Sequence, residues 1–340
     1  MTKTTDSTTS GKPRPGKDER LPLLALVGPT AVGKTALSLA VARAFDCEII
    51  SGDSMQVYRG MDIGTAKLEP EHRQGIPHHM IDILDPADPF SVADFQARCE
   101  ETIADIHARG KLPFIVGGTG LYVESVCYGY SFREEGGDAE FREKMSRWAQ
   151  EHGADALHRK LFDVDPETAA KLHPNDVRRV VRALEIYETT GRPLSELQSQ
   201  QRGDDKASPY KLCLIGLTMD RAELYRRIGL RVDEMLEQGL LDEVKRLLAA
   251  GVPRSAVSMQ ALGYKEMASY LAGELDYKGA VELLKRDTRR FAKRQLSWFR
   301  RMKELEWVSL EKEEKDRNLL TEICDIIAGK FLCDLEYTCQ

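Results

Sequence analysis

Apolar residues follow two rhythms along this chain. In the first third, short apolar runs alternate with stretches in helical spacing. Residues 21–27 (LPLLALV), 47–50, 80–84 and 113–116 are apolar runs of strand length. Gly28, Ser51-Gly52 and Gly117-Gly118 punctuate three of them, so all four predict buried strands. Between them, residues 35–45 place Leu37, Val41 and Ala44 at helical spacing. Residues 91–109 open with Ser91 and Asp94 in capping-box spacing and close before Gly110, which predicts a helix marked at both ends. Strands alternating with helices in this way predict an α/β fold with a mostly parallel sheet covered on both faces.

The rhythm changes after about Phe132. Residues 133–203 hold no strong strand and read as helices over 141–152, 156–162, 166–172 and 176–190. Residues 211–217 (KLCLIGL) restore a strand, and 221–250 read as one long helix or a pair. The predicted organisation is an α/β core built from 21–132 and 204–312, interrupted by a helical insertion domain over 133–203. The C-terminal part of the core is expected to be helical. Residues 1–20 read as a disordered tail, and the weakly patterned C-terminal tail, 313–340, receives no element.

The 340 residues are 42% apolar and 31% charged, ordinary for a globular chain with ample length for a core. No apolar run approaches the ~20 residues of a membrane span, and the first twenty residues show no secretory signal. The 7 cysteines, at 47, 99, 127, 213, 324, 333 and 339, include no Cys-x-x-Cys pair. Neither a disulfide framework nor a zinc site is expected, and a cytoplasmic location fits. The net charge of −6 argues against a nucleic-acid partner, but its distribution argues the other way. Residues 285–303 carry nine Lys or Arg and one Asp, a local +8, which leaves −14 on the rest. In this segment Leu284, Thr288, Phe291, Gln295, Trp298, Met302 and Leu305 follow three-four spacing and predict an inward helical stripe. The outward basic residues then either track phosphates or are simply solvated.

Gly28-Pro29-Thr30-Ala31-Val32-Gly33-Lys34-Thr35 fits G-x-x-x-x-G-K-[ST], after a strand and before a helix. Its glycines let successive backbone N–H groups curl inward, and the helix N-terminus adds partial positive charge. Lys34 adds a full charge, and the Thr35 hydroxyl is placed to ligate Mg²⁺. The motif specifies a di- or triphosphate and nothing narrower. Asp53 follows the second strand, at the carboxyl end where ligands of such sheets sit, and is a candidate general base. Position alone leaves a cap or turn role equally open. Residues 61–67 form a polar loop, Gly117–Gly120 a glycine-rich turn, and Asp82 and Asp85 read as structural rather than metal-holding. On these motifs alone two other classes compete: a P-loop small-molecule kinase with the insertion as its lid, and a nucleotide-gated RNA-binding protein.

The blocks GPTAVGKT, SGDSMQVYRGMDIGTAK, PHHMIDILDP, FSVADF, FIVGGTGLYV, HPNDVRRVVRALEIYETTGRP and MQALGYKEM, in this order, resemble the bacterial tRNA dimethylallyltransferase family over residues 21–307. The resemblance implies a P-loop kinase-like core with a helical insertion. It implies transfer of a dimethylallyl group from dimethylallyl diphosphate to N6 of adenine 37 in tRNA, with pyrophosphate leaving and Mg²⁺ assisting. The phosphate loop, Gly28 to Thr35, would hold the donor diphosphate. Asp53 would be the base, and Asp53, Ser54, Met55 and Gln56 would touch the flipped adenine and its neighbours. Thr119 and Arg142 would meet the tRNA, as would Arg178, Arg179, Val180, Val181, Arg182 and Gln260, Ala261, Leu262, Gly263, Tyr264, Lys265. One of Arg226, Arg227 and Arg231 would neutralise the pyrophosphate, and Arg227 is favoured. Lys34 and Thr119 join Asp53 and Arg227 in the expected catalytic set. A monomer is expected by default. Two departures stand out: the Cys/His spacing of the zinc finger that eukaryotic members often add is missing, and the N-terminal tail matches nothing in the family pattern.

Overall fold

A computed structural model describes residues 20–132, 138–201, 207–310 and 319–331. Six strands form one parallel sheet in the order β3-β2-β4-β1-β5-β6. They are β1 (Pro22–Val27), β2 (Cys47–Gly52), β3 (His78–His79), β4 (Leu112–Gly117), β5 (Lys211–Thr218) and β6 (Leu305–Ser309). The central strands are apolar throughout because both faces are covered. Leu23, Ala25 and Val27 face one buried cluster with Ile50, Ile115 and Leu214. Leu24 and Leu26 face the other with Ile49, Phe114 and Ile215.

The helices α1 (Lys34–Ala44) and α2 (Val92–Ala108) are as the spacing predicts. Asp94 donates its N–H to Ser91 Oγ (3.2 Å) and returns a carboxylate to the Ser91 N–H (2.9 Å), closing the box. A short helix that the pattern did not announce, α3 (Gly120–Cys127), follows β4 directly. Then come α4 (Ala139–His152), α5 (Ala154–Val164), α6 (Pro166–Lys171), α7 (Val177–Thr190) and α8 (Leu194–Gln201). They enclose a core of their own around Leu157, Leu161, Val180, Val181 and Leu184. The 221–250 stretch is a pair, α9 (Arg221–Glu237) and α10 (Leu240–Ala249), parted at Gly239 with φ +100°. The remaining helices are α11 (Tyr264–Leu271), α12 (Tyr277–Phe299) and α13 (Leu319–Phe331).

Three expectations are corrected. The 80–84 run is not a strand: Met80 and Asp82 take φ of +60° and +56°, which interrupts extension, and only Leu84 bridges, to Tyr58. The edge strand lies just before it, with His78 and His79 paired to β2. The basic stripe is helical only to Phe299, and its buried face is Leu284, Ala292, Gln295 and Phe299, with Phe291 and Trp298 half-buried. Met302 lies beyond the helix, and Leu305 opens β6. Within 313–340, α13 docks through Ile323, Ile327 and Phe331 onto the second cluster. The tail reading of residues 1–19 and the cysteines at 333 and 339 lie outside the described residues.

Candidate active site

Three turns leave the sheet at one level. Val27 of β1 and Gly52 of β2 are both in register with Gly117 of β4. The strands crowd there: a Cβ on Gly117 would meet the Gly52 carbonyl oxygen at 2.3 Å. From these ends emerge the phosphate loop, the Asp53 turn and the Gly118-Thr119 turn, so the sheet itself brings the predicted donor and acceptor groups together.

The phosphate loop bends through positive φ at Ala31 (+64°) and Gly33 (+108°). The first turn of α1 has no side-chain cap, leaving its N–H groups and the positive end of its dipole to an anion. Lys34 Nζ donates to the carbonyls of Gly28 (2.9 Å) and Pro29 (2.8 Å). Burial brings the Lys34 ammonium down to about 7; the charge of Arg231 adds to the fall, and Asp53 opposes it. Arg231 on α9 is itself lowered by burial, against the pull of Asp53. Lys34, Arg231 and Asp53 thus share one electrostatic neighbourhood. Arg227, the favoured arginine, is partly exposed and paired on its own helix. Its Nε donates to Glu223 on its own helix (3.0 Å), as does Arg226 (2.8 Å). Of the three arginines, Arg231 is the one whose charge couples to Lys34 and Asp53.

Asp53 Oδ1 accepts the Met55 N–H (2.8 Å), an Asx turn that fixes the carboxylate beside the strand end. Ser54 donates its N–H to Thr119 Oγ1 (3.1 Å), so Thr119 ties the two acceptor-side turns. The amide of Gln56 accepts from Ser51 Oγ (2.7 Å) and donates to the Thr65 carbonyl (3.2 Å). The polar loop over 61–67 is in turn held by Glu243 of α10. Its buried carboxylate accepts the N–H groups of Asp62 and Ile63 (both 3.0 Å) and Gly64 (3.2 Å), and the Tyr264 hydroxyl (2.6 Å). Glu243 escaped the sequence reading because a glutamate on an amphipathic helix looks solvated. Gln295 was legible only as a polar member of an apolar stripe. Asp82 and Asp85 meet Lys67 (2.5 Å) and Arg59 (2.8 Å), consistent with structural roles.

The proposed tRNA contacts divide. Arg142 and Arg182 both lie beside the fully buried Glu185 (3.3 and 2.9 Å), and Arg178 and Arg179 are exposed on α7. Val180 and Val181 point the other way, into the core of the insertion helices, so their side chains are not surface contacts. Tyr264 is likewise core, packed under Gly64, while Gly263 turns at φ +92° to start α11. Gln260 is exposed, Ala261 and Leu262 are half-buried, and Lys265 sits 3.8 Å from Asp287 of α12. Gln260 and Lys265 line an open groove of about 510 Å³ with Arg254 and Asp287, a groove that contains no phosphate-loop residue. On α12, Arg286 and Arg290 share Asp287, and Lys285 pairs with Asp233 (2.6 Å), whereas Lys293 and Arg294, and Arg300 just beyond the helix, are exposed.

Among the described residues no group of three or more His, Cys, Asp or Glu could hold a metal ion. The exposed Thr35 hydroxyl suits one position of a Mg²⁺ that keeps much of its water.

Residues 56–302 match the family model described as IPP transferase, and residues 21–82 match the isopentenyl transferase model. A tRNA dimethylallyltransferase of Symbiobacterium thermophilum is 54% identical over 314 residues, 92% of this chain and 97% of the relative. One from Bacillus subtilis is 52% identical over 313 residues, 91% of this chain and 97% of that one. Among solved structures, a tRNA isopentenylpyrophosphate transferase from Bacillus halodurans is 49% identical with a TM-score of 0.68, covering 91% of this chain and 96% of its own. A eukaryotic dimethylallyltransferase acting on tRNA is 30% identical with a TM-score of 0.76, covering 93% of this chain and 82% of its own.

Proposed function

The chain belongs to the tRNA dimethylallyltransferase family, and on that footing we propose how its residues divide the work of prenylating tRNA. The donor is dimethylallyl diphosphate and the acceptor is N6 of adenine 37, beside the anticodon. The enzyme acts as a cytoplasmic monomer. Among the described residues no helix is long and apolar enough to cross a membrane. The small-molecule kinase reading is set aside by the family.

The observation that supports this reading most is the shared neighbourhood of Lys34, Arg231 and Asp53, at the one level of the sheet where the phosphate loop and the Asp53 turn begin. Allylic transfer breaks a C–O bond as negative charge gathers on the departing diphosphate. The loop N–H groups, Lys34 and Arg231 are fixed in advance around that charge. A Mg²⁺ ion, when bound to the diphosphate and the Thr35 hydroxyl, would supply further charge neutralisation. On the other side, the adenine amine grows acidic as it attacks, and Asp53, anchored by the Met55 N–H, takes its proton. Adenine 37 must leave its stack to reach this depth, and Ser54, Met55 and Gln56 stand where the displaced base arrives.

The test uses unmodified tRNA with adenines at positions 36 to 38, purified protein, Mg²⁺ and dimethylallyl diphosphate, followed by digestion and mass spectrometry. The expected result is one adenosine, mapped to position 37, heavier by a dimethylallyl unit. Absence of that product, with ATP consumed on adding small acceptors, would overturn the reading.

A further inference from the structure

We propose that Gln295 of α12 is a positioning residue that sets the spacing between the donor-holding loop and the acceptor-side turns. This rests on the functional reading above. Gln295 is buried, its amide oxygen and nitrogen each make a hydrogen bond, and both partners belong to the site. Its Oε1 accepts the Thr30 N–H of the phosphate loop (2.9 Å), and its Nε2 donates to the Gly118 carbonyl of the β4 turn (2.9 Å). The chain positions joined are 265 and 177 residues apart from it. The next residue along that turn, Thr119, accepts the Ser54 N–H, and Ser54 adjoins Asp53. One polar chain therefore runs from the loop that holds the diphosphate, through a single side-chain amide, to the turn that carries the base.

The fit around this amide is built. A Cβ on Gly118 would lie 2.2 Å from Gln295 Nε2, so only glycine lets the carbonyl reach it. One helical turn on, Trp298 closes over Gly120, where a Cβ would lie 2.3 Å from the indole. Its Nε1 donates to Glu124 of α3 (2.8 Å), which holds α12 against the end of β4. Gln295 needs both of its functions. A carboxylate there still accepts from Thr30 but turns an oxygen on the Gly118 carbonyl, and a thioether of similar volume does neither. Gly118 stands one residue and Thr30 three residues beyond the last ladder pair of β1 and β4, Val27 with Gly117, and the amide carries the link between the two strands past that pair. A misplacement of about 1 Å between reacting groups typically costs about 10²-fold in rate.

The experiment compares wild type, Gln295→Met and Gln295→Glu, with Ser297→Ala on the exposed side of α12 as control. Each is measured for the stoichiometry and affinity of inorganic pyrophosphate binding, tRNA affinity, thermal midpoint, and kcat and KM for prenyl transfer. A positioning role predicts that both Gln295 variants bind pyrophosphate at full stoichiometry and tRNA within about threefold of wild type, while kcat falls about 10- to 100-fold. Ser297→Ala matches wild type. A kcat for Gln295→Met within about threefold of wild type overturns the proposal. So does a loss fully accounted for by a lowered pyrophosphate stoichiometry, because that is unfolding. Should Gln295→Met fail to fold, Gly118→Ala disturbs the same bridge from the other side and must show the same kcat loss, or the proposal falls. A wild type that binds pyrophosphate and tRNA but transfers no prenyl group overturns the functional reading itself, and the proposal with it.

Discussion

Burial, with the charge of Arg231 adding to it, brings the Lys34 ammonium down to about 7 when the site holds no anion. A bound diphosphate favours the charged form and raises that value, so binding takes up a proton at any pH between the two. The advantage of wild type over Lys34→Gln in pyrophosphate affinity should therefore be constant below about pH 7 and shrink by up to tenfold per unit above it, the ligand's own ionisation cancelling between the two proteins. Calorimetry of both proteins across about pH 6 to 9 would check this. Among the arginines, Arg231→Ala should lower kcat about 10²- to 10³-fold, as for loss of one preorganised charge partner. Arg227→Ala removes a partly exposed pair with Glu223 and should cost about 1 kcal/mol of stability at most, with near-normal turnover. Steady-state kinetics of the two variants separates them. Asp53→Asn should lose about 10² to 10⁴ in rate and keep tRNA affinity, read by transfer and binding assays side by side. The phosphate loop and Asp53 are legible in the sequence because local chemistry defines them. Arg231 is not, because it stands one helical turn from Arg227 on the same face. Glu223 engages Arg227 four residues on, whereas the charge of Asp53, just past β2, reaches Arg231 from another element.

At the scale of elements, legibility follows the same division between local and distant causes. The box at Ser91 and the apolar runs of β1, β2, β4 and β5 announce themselves. The two-residue strand β3 cannot, since its existence depends on pairing with β2. Nor can the end of α12, where Met302 and Leu305 continue a helical spacing by chance while Leu305 and Val308 turn inward as a strand. The acceptor-side loop depends on a distant element in the same way, for Glu243 of α10 holds three of its N–H groups. Gly64→Ala would thrust a methyl to 2.4 Å from the Tyr264 ring beneath that loop. It should destabilise the protein by about 1–3 kcal/mol and raise KM for tRNA more than that for the prenyl donor, checked by denaturant unfolding and kinetics. The helix α13 repeats Ile323, Ile327 and Phe331 at four-residue spacing, too brief a pattern to stand out between charged neighbours.

Across the whole molecule, charge is segregated rather than balanced. An acidic chain of net −6 presents exposed Lys293, Arg294 and Arg300 on and just beyond α12, and Arg178 and Arg179 on α7. Affinity for tRNA should fall steeply with salt, and Arg294→Ala should reduce the slope of log affinity against log salt by about one, measured by filter binding. A flat salt response would show that these faces are merely solvated. The sheet order also governs how the molecule is made. Its central strand, β1, lies between β4 and β5, and β5 begins only at Lys211. While the ribosome adds residues at about 5–20 per second, the nascent chain holds β1 with one flank bare through the whole synthesis of α4 to α8. Those helices bury their apolar residues in a cluster of their own, separate from the two clusters on the sheet. The catalytic end of the sheet, which also needs Arg231, Glu243 and Gln295, closes only when translation is nearly finished, and a truncated polypeptide carrying the entire phosphate loop is released without an enzyme's reactivity.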